Sequence, residues 1–153
     1  MTIEIGKKVP DFTAEATGGP VKLSALKGKS VVLYFYPKDN TPGCTTEGQD
    51  FAAAYAKFRE AGAEVLGVSR DTLKLHEGFK KKMDFPFELI SDPDEVLCKA
   101  FDVIKMKNMY GKQVRGIERS TFVVGPDGKL MREWRGVRVP QHVNEVLAFV
   151  QSL

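Results

Sequence analysis

The sequence predicts an α/β domain in which a mostly parallel central sheet carries an antiparallel hairpin at its edge. Two patterns carry that reading. Short apolar runs at 30–36, 64–69 and 87–90 alternate with amphipathic stretches, the pattern of strand–helix–strand units. Further on, Gly125-Pro126-Asp127-Gly128 separates two more such runs and reads as a hairpin turn. With 153 residues, 42% hydrophobic and 28% charged, the chain has the length and balance of one ordinary domain, 1–153, with a full core.

The elements follow in order. The start is irregular and ends in a short helical turn at 23–27, before Gly28. Residues 30–36 are continuous, apolar and rich in β-branched and aromatic side chains, which suits a strand covered on both faces. Pro37 ends it, because proline has no amide to give a sheet ladder. Asn40 to Gly43 form a turn. A helix starts at Pro42, with Thr41 as N-cap and proline in the first helical position. Phe51, Tyr55 and Phe58 form its apolar stripe, and Gly62 is its stop. A strand at 64–69 is followed by a helix at 72–82 with Leu75, Phe79 and Met83 on one face, then by a short strand at 87–90. Asp92-Pro93-Asp94-Glu95 has capping-box form, and the next helix aligns Leu97, Phe101 and Ile104. The hairpin at 121–134 and a last helix from about Pro140, burying Val143, Val146, Leu147 and Val150, complete the chain.

Composition excludes several classes. The 23 basic and 20 acidic side chains leave a net charge of +3, which permits attraction of anions without demanding nucleic acid. No apolar run approaches the ~20 residues that span a bilayer. The N-terminus lacks a basic stretch followed by an apolar one, so no signal peptide is expected. Two cysteines, Cys44 and Cys98, make no disulfide framework, and the simpler reading is a reducing, cytoplasmic home. Neither has a companion at metal-ligand spacing, so no zinc site is expected.

Cys44 is the foremost candidate for chemistry. It falls in the first turn of a helix that follows a buried strand, where free amides and the helix dipole favour the thiolate, the nucleophilic form. A small, half-buried structural cysteine is the alternative that spacing alone leaves open. A dithiol oxidoreductase needs a second cysteine three residues on, and that residue is Glu47. A cysteine hydrolase needs a histidine base, yet His76 and His142 sit in no hydrolase signature. What is left is a lone activated thiolate.

Pro37, Thr41 and Cys44 stand in the pattern Pro-x-x-x-Thr-x-x-Cys, which resembles the peroxidatic motif of the peroxiredoxins. The run from Leu33 to Glu47 is similar to the bacterioferritin comigratory protein (PrxQ) subfamily in particular. Gly6-Lys7-Lys8-Val9-Pro10-Asp11-Phe12 resembles that subfamily's opening, and Gly116 to Phe122 the segment carrying its arginine, here Arg119. The element order fits a three-layer thioredoxin-like fold, which the resemblance also implies. It further implies that the Cys44 thiolate attacks a peroxide and becomes a sulfenic acid. Arg119 then holds thiolate and peroxide by charge-assisted hydrogen bonds. The Thr41 hydroxyl accepts from the peroxide and donates to the thiolate, and Pro37 shields the sulfur from water. The amides of Cys44 and Thr46 add donors. Glu47 matches an acidic position of the subfamily, with a solvated first-turn acid as the alternative. No metal, flavin or haem is called for, and a monomer or weak dimer is implied.

The chain departs from the resemblance in one respect. A resolving cysteine usually stands five residues after the first or about thirty-six after it; here those positions are Gln49 and Lys80. The expectation is therefore a one-cysteine peroxidase for hydrogen peroxide and organic hydroperoxides, resolved by an external thiol, either thioredoxin or glutathione with glutaredoxin. A two-cysteine cycle through Cys98, which requires Cα atoms within about 7 Å, and a peroxide-sensing thiol switch are the alternatives.

Overall fold

The structure is a computed structural model and describes residues 3–153. Strands β1 (Thr13–Ala14) and β2 (Val21–Lys22) pair antiparallel and lead through a 3-10 turn at Leu23–Leu26 into β3 (Ser30–Phe35). Then follow α1 (Pro42–Glu60), β4 (Ala63–Ser69), α2 (Leu73–Met83), β5 (Glu88–Ser91), α3 (Val96–Ala100), β6 (Ile104–Met109), β7 (Lys112–Ile117), β8 (Ser120–Val124), β9 (Leu130–Arg135) and α4 (His142–Gln151). The central sheet has the order β5-β4-β3-β8-β9. Its three strands β3, β4 and β5 are parallel, and the β8–β9 hairpin closes the other edge antiparallel, with β8 against β3. This is the expected α/β arrangement.

Strand β3 explains the continuous apolar run. All six of its residues are buried, because alternate side chains enter two separate cores. Val31, Leu33 and Phe35 pack on one face with Leu97, Cys98, Phe101 and Phe122. Val32 and Tyr34, with Tyr36 just beyond the strand, pack on the other face with Phe51 and Phe58 of α1, Phe79 of α2, and Val143 and Val146 of α4. Each fully buried aromatic of α1 stabilises its docking by roughly 1.5–3 kcal/mol. The helix is thus fixed on the sheet with its N-terminus at the carboxyl end of β3. The two cysteines lie in opposite cores, Cys44 with the α1 face and Cys98 with the α3 face.

Two expectations are corrected. The helix expected to carry Leu97, Phe101 and Ile104 stops at Ala100: Asp102 takes a left-handed φ of 53°, and Ile104 opens β6 instead. The Asp92 carboxylate does hold this helix start, accepting from the amides of Leu97 (3.2 Å) and Cys98 (2.8 Å), but the N-cap itself is Glu95. The second correction is the antiparallel pair β6–β7, a hairpin absent from the sequence reading. Arg135 donates to the carbonyls of Phe101 and Asp102 and so caps the end of α3.

Candidate active site

Thr41 is the N-cap of α1 and Pro42 its first residue, as the sequence predicts, which puts Cys44 in the first turn. The first helical bond runs from the Thr45 amide to the Thr41 carbonyl at 2.9 Å. Pro42 has no amide hydrogen, so the first-turn amides without a helical acceptor are those of Gly43 and Cys44. Thr46, expected as a donor, falls one residue inside the bonded helix. Cys44 is only 2% exposed.

Arg119 comes from the short link between β7 and β8, whose pairing with β3 brings it over the first turn of α1. Its Nη2 donates to the Cys44 sulfur at 3.3 Å, and Nη1 donates to Glu47 Oε1 at 2.7 Å. Gly43 makes room for it, since a Cβ there would lie 3.1 Å from Nη2. Burial of the guanidinium works against its charge, but Glu47 and Cys44 more than offset that and raise its pKa.

Glu47 is not a solvated acid. It is fully buried, and Oε2 has no hydrogen-bond partner. Burial pushes its carboxyl up to about 7 against the pull of Arg119. Tyr34 lies in the same core, stacked on Phe51 with ring centroids 4.5 Å apart, its hydroxyl also without a partner. Burial first, and then the negative charge of Glu47, pushes its phenol well above the usual range.

Pro37 and Thr41 belong to the loop between β3 and α1, and one contact there differs from the expectation. Pro37 is half-buried, directly after β3 and Tyr36. The Thr41 hydroxyl donates to the Lys38 carbonyl at 2.9 Å and makes no side-chain cap. Its one proton is therefore used inside the loop, not on Cys44 as expected, because Asn40 at φ 63° turns the chain back and brings Lys38 within reach. Neither histidine serves Cys44 as a base: His76 pairs with Asp39 at 2.7 Å, and His142 Nε2 meets the Thr121 hydroxyl at 2.8 Å. Burial, and then Arg119, lower the pKa of His142 to about 4. Of the described residues, Asp39, Asp71 and His76 bring ligand-type atoms within 4.8 Å of one another. Those atoms have hydrogen-bond partners already: His76 Nδ1 meets Asp39 Oδ2, and Asp71 Oδ2 accepts from the Asp39 amide and the Ser69 hydroxyl. Cys98 is fully buried, and burial, together with Asp92, pushes its thiol far up, away from the reactive form.

Comparison with known proteins gives the family. Residues 5–132 match the AhpC/TSA family. Peroxiredoxin Bcp of Xanthomonas campestris is 52% identical over 151 residues, covering 98% of this chain and 94% of its own. Peroxiredoxin Bcp of Bacillus subtilis is 49% identical, covering 100% of this chain and 98% of its own. A solved structure of Xanthomonas campestris peroxiredoxin Q superposes with a TM-score of 0.90 at 52% identity, covering 98% of this chain and 96% of that one. The structures of that relative include serine variants of two cysteines thirty-six positions apart. The fold is thus the thioredoxin-like fold of the peroxiredoxins, and the molecule is a thiol peroxidase. More narrowly, the chain belongs to the AhpC/TSA family, on its Bcp or PrxQ branch.

Proposed function

We propose that Cys44 is the peroxidatic residue of a one-cysteine cycle acting on hydrogen peroxide and organic hydroperoxides. The observation that carries the proposal is the Arg119 fork, one arm on the Cys44 sulfur and the other on buried Glu47. The thiolate attacks the nearer peroxide oxygen and the O–O bond breaks. The sulfur loses two electrons and becomes a sulfenic acid, while the distal oxygen takes a proton and leaves as water or alcohol. Arg119 stabilises the thiolate and the charge developing on the peroxide, and the free amides of Gly43 and Cys44 add to that field. Thr41 accepts from the peroxide O–H, and Pro37 keeps water from the sulfur. This chemistry needs neither metal nor organic cofactor.

Resolution falls to an external thiol, thioredoxin or glutathione with glutaredoxin. It attacks the sulfenic sulfur, releases water and forms a mixed disulfide that a second thiol reduces. Support comes from Gln49, which is exposed, and from Lys80, thirty-six positions after Cys44, which pairs with Glu88 at 2.6 Å. Cys98 lies in the core across the sheet. The two free thiols suit a reducing cytoplasm, and we read the chain as one domain, monomeric or weakly dimeric. No helix among the described residues is long and apolar enough to cross a membrane. The test is steady-state peroxide turnover of Cys98→Ser, with Cys98→Ala beside it should serine disturb the core. Turnover within about two-fold of wild type supports the cycle, and its loss in both variants overturns it. A single reaction at Cys44 without turnover by either reductant would make the protein a sensor.

A further inference from the structure

Asp39 lies in the loop between β3 and α1, two residues before Thr41, and both of its carboxylate oxygens are engaged beneath that loop. Oδ1 accepts from the Tyr36 hydroxyl at 2.7 Å, and Oδ2 lies 2.7 Å from Nδ1 of His76 on α2. The other ring nitrogen of His76, Nε2, lies 2.9 Å from the Ile90 carbonyl of β5. Both ring nitrogens are thus engaged by oxygen atoms, one from the loop and one from the sheet, and the ring is held at both ends. The Asp39 amide in turn donates to Asp71 Oδ2 at 2.9 Å, an oxygen that also accepts from the Ser69 hydroxyl at the end of β4 at 2.6 Å. The side chains of His76 and Asp39 are 0% and 2% exposed. Three residues, Tyr36, Asp71 and His76, therefore hold one loop residue directly, and Ser69 and Ile90 hold two of those in turn. A buried pair with its remaining atoms satisfied in this way is rigid, and removing one partner is strongly disruptive.

Above this anchor the loop is bent tightly at Asn40, and the Thr41 hydroxyl gives its proton to Lys38. The oxygen that remains has only lone pairs to offer a peroxide, and its direction is set by the loop.

We propose that the hydrogen-bonded Asp39–His76 pair is a positioning device for peroxide reduction, fixing the loop so that Thr41 presents its hydroxyl oxygen as an acceptor to the peroxide at Cys44. The proposal rests on Cys44 being the peroxidatic residue. The pair itself touches neither sulfur nor substrate; it acts through Thr41. Displacements of about 1 Å at a substrate-orienting group lower rates by about 10²-fold. Alkylation of a thiolate needs no hydroxyl to orient the reagent.

The experiment compares two single-turnover rates at Cys44, oxidation by hydrogen peroxide and alkylation by iodoacetamide, with the modified residue mapped by digestion. It uses wild type, His76→Leu, His76→Gln, Asp39→Asn, Thr41→Val and the double variant His76→Leu/Thr41→Val. The expected result is a fall in the peroxide rate of His76→Leu of at least about ten-fold, with alkylation within about two-fold of wild type. His76→Gln, which keeps a donor for Asp39, recovers part of the loss. In the His76→Leu background, Thr41→Val then lowers the rate little further, because the two changes remove the same contribution. Unchanged peroxide rates in folded His76→Leu and Asp39→Asn would overturn the proposal, as would a parallel fall in both rates or full additivity with Thr41→Val. If His76→Leu does not fold, the same comparison is made with His76→Gln and Asp39→Asn. Failure of wild-type Cys44 to react with peroxide would instead overturn the assignment of Cys44, on which the proposal stands.

Discussion

Replacing Glu47 by glutamine should reshape the dependence of stability on pH. Glu47 is fully buried, with one oxygen on Arg119 and the other without a partner. Burial raises its carboxyl from the ordinary 4.5 to about 7 even with Arg119 beside it. Between those values the native state binds the proton and the unfolded chain does not, so Glu47 makes stability fall as pH rises through the window. At about 1.36 kcal/mol per pH unit, the rise corresponds to roughly 3 kcal/mol. His142 acts in the opposite sense. Burial, and then Arg119, lower it from 6.5 to about 4, so the unfolded chain binds the extra proton and stability rises with pH over that range. The two slopes oppose each other in the wild type, and E47Q removes one of them. The expected outcome is that the stability of E47Q relative to wild type increases by about 3 kcal/mol between roughly pH 4 and pH 8, or about 6–12 °C in Tm for a chain of this size. Urea unfolding at both pH values, with a common m-value, measures it. A difference that stays constant within about 0.5 kcal/mol would refute the reasoning, because the carboxyl would then titrate alike in both states.

Other consequences follow from the same packing. Gly48 lies against the Phe85 ring, which occupies the space a Cβ would take. Gly48→Ala should therefore lower stability by about 1–3 kcal/mol, read by urea unfolding. Arg119→Lys keeps the charge but loses the fork that joins Cys44 to Glu47. The second-order rate of oxidation by hydrogen peroxide should fall by about 10²–10³-fold, as when one preorganised donor is removed, while the fold is kept. An unchanged rate would mean that charge alone, without bidentate geometry, is what the sulfur requires.

The fold was legible wherever burial was two-sided and local. Residues 30–36 read as a covered strand because β3 feeds two cores, and the helix start at Thr41-Pro42 read correctly because proline at the first turn is a local signal. The β6–β7 hairpin was not legible. Its side chains are mostly half-exposed or exposed, so neither a continuous apolar run nor a clean alternation marks it. Its one local sign was Tyr110-Gly111, two residues at φ 54° and 79°, the two-residue turn that matches strand twist. Leu97, Phe101 and Ile104 have helical spacing, but spacing cannot reveal that Asp102 turns left-handed between them. At the site, the residue types of Cys44, Thr41 and Arg119 were legible through a motif. The burial of Glu47 and the pairing of His76 with Asp39 were not. Both depend on partners far away in sequence, Arg119 at 72 residues and Asp39 at 37, which only the folded sheet brings together.

The most direct test of the central claim is the intact mass of the reduced protein after one equivalent of hydrogen peroxide, with the modified residue mapped by digestion. The account predicts a gain of oxygen confined to Cys44, with Cys98 still a free thiol. Loss of two hydrogens within one chain, with Cys44 and Cys98 joined, would contradict it, because the two sulfurs would have met across the central sheet.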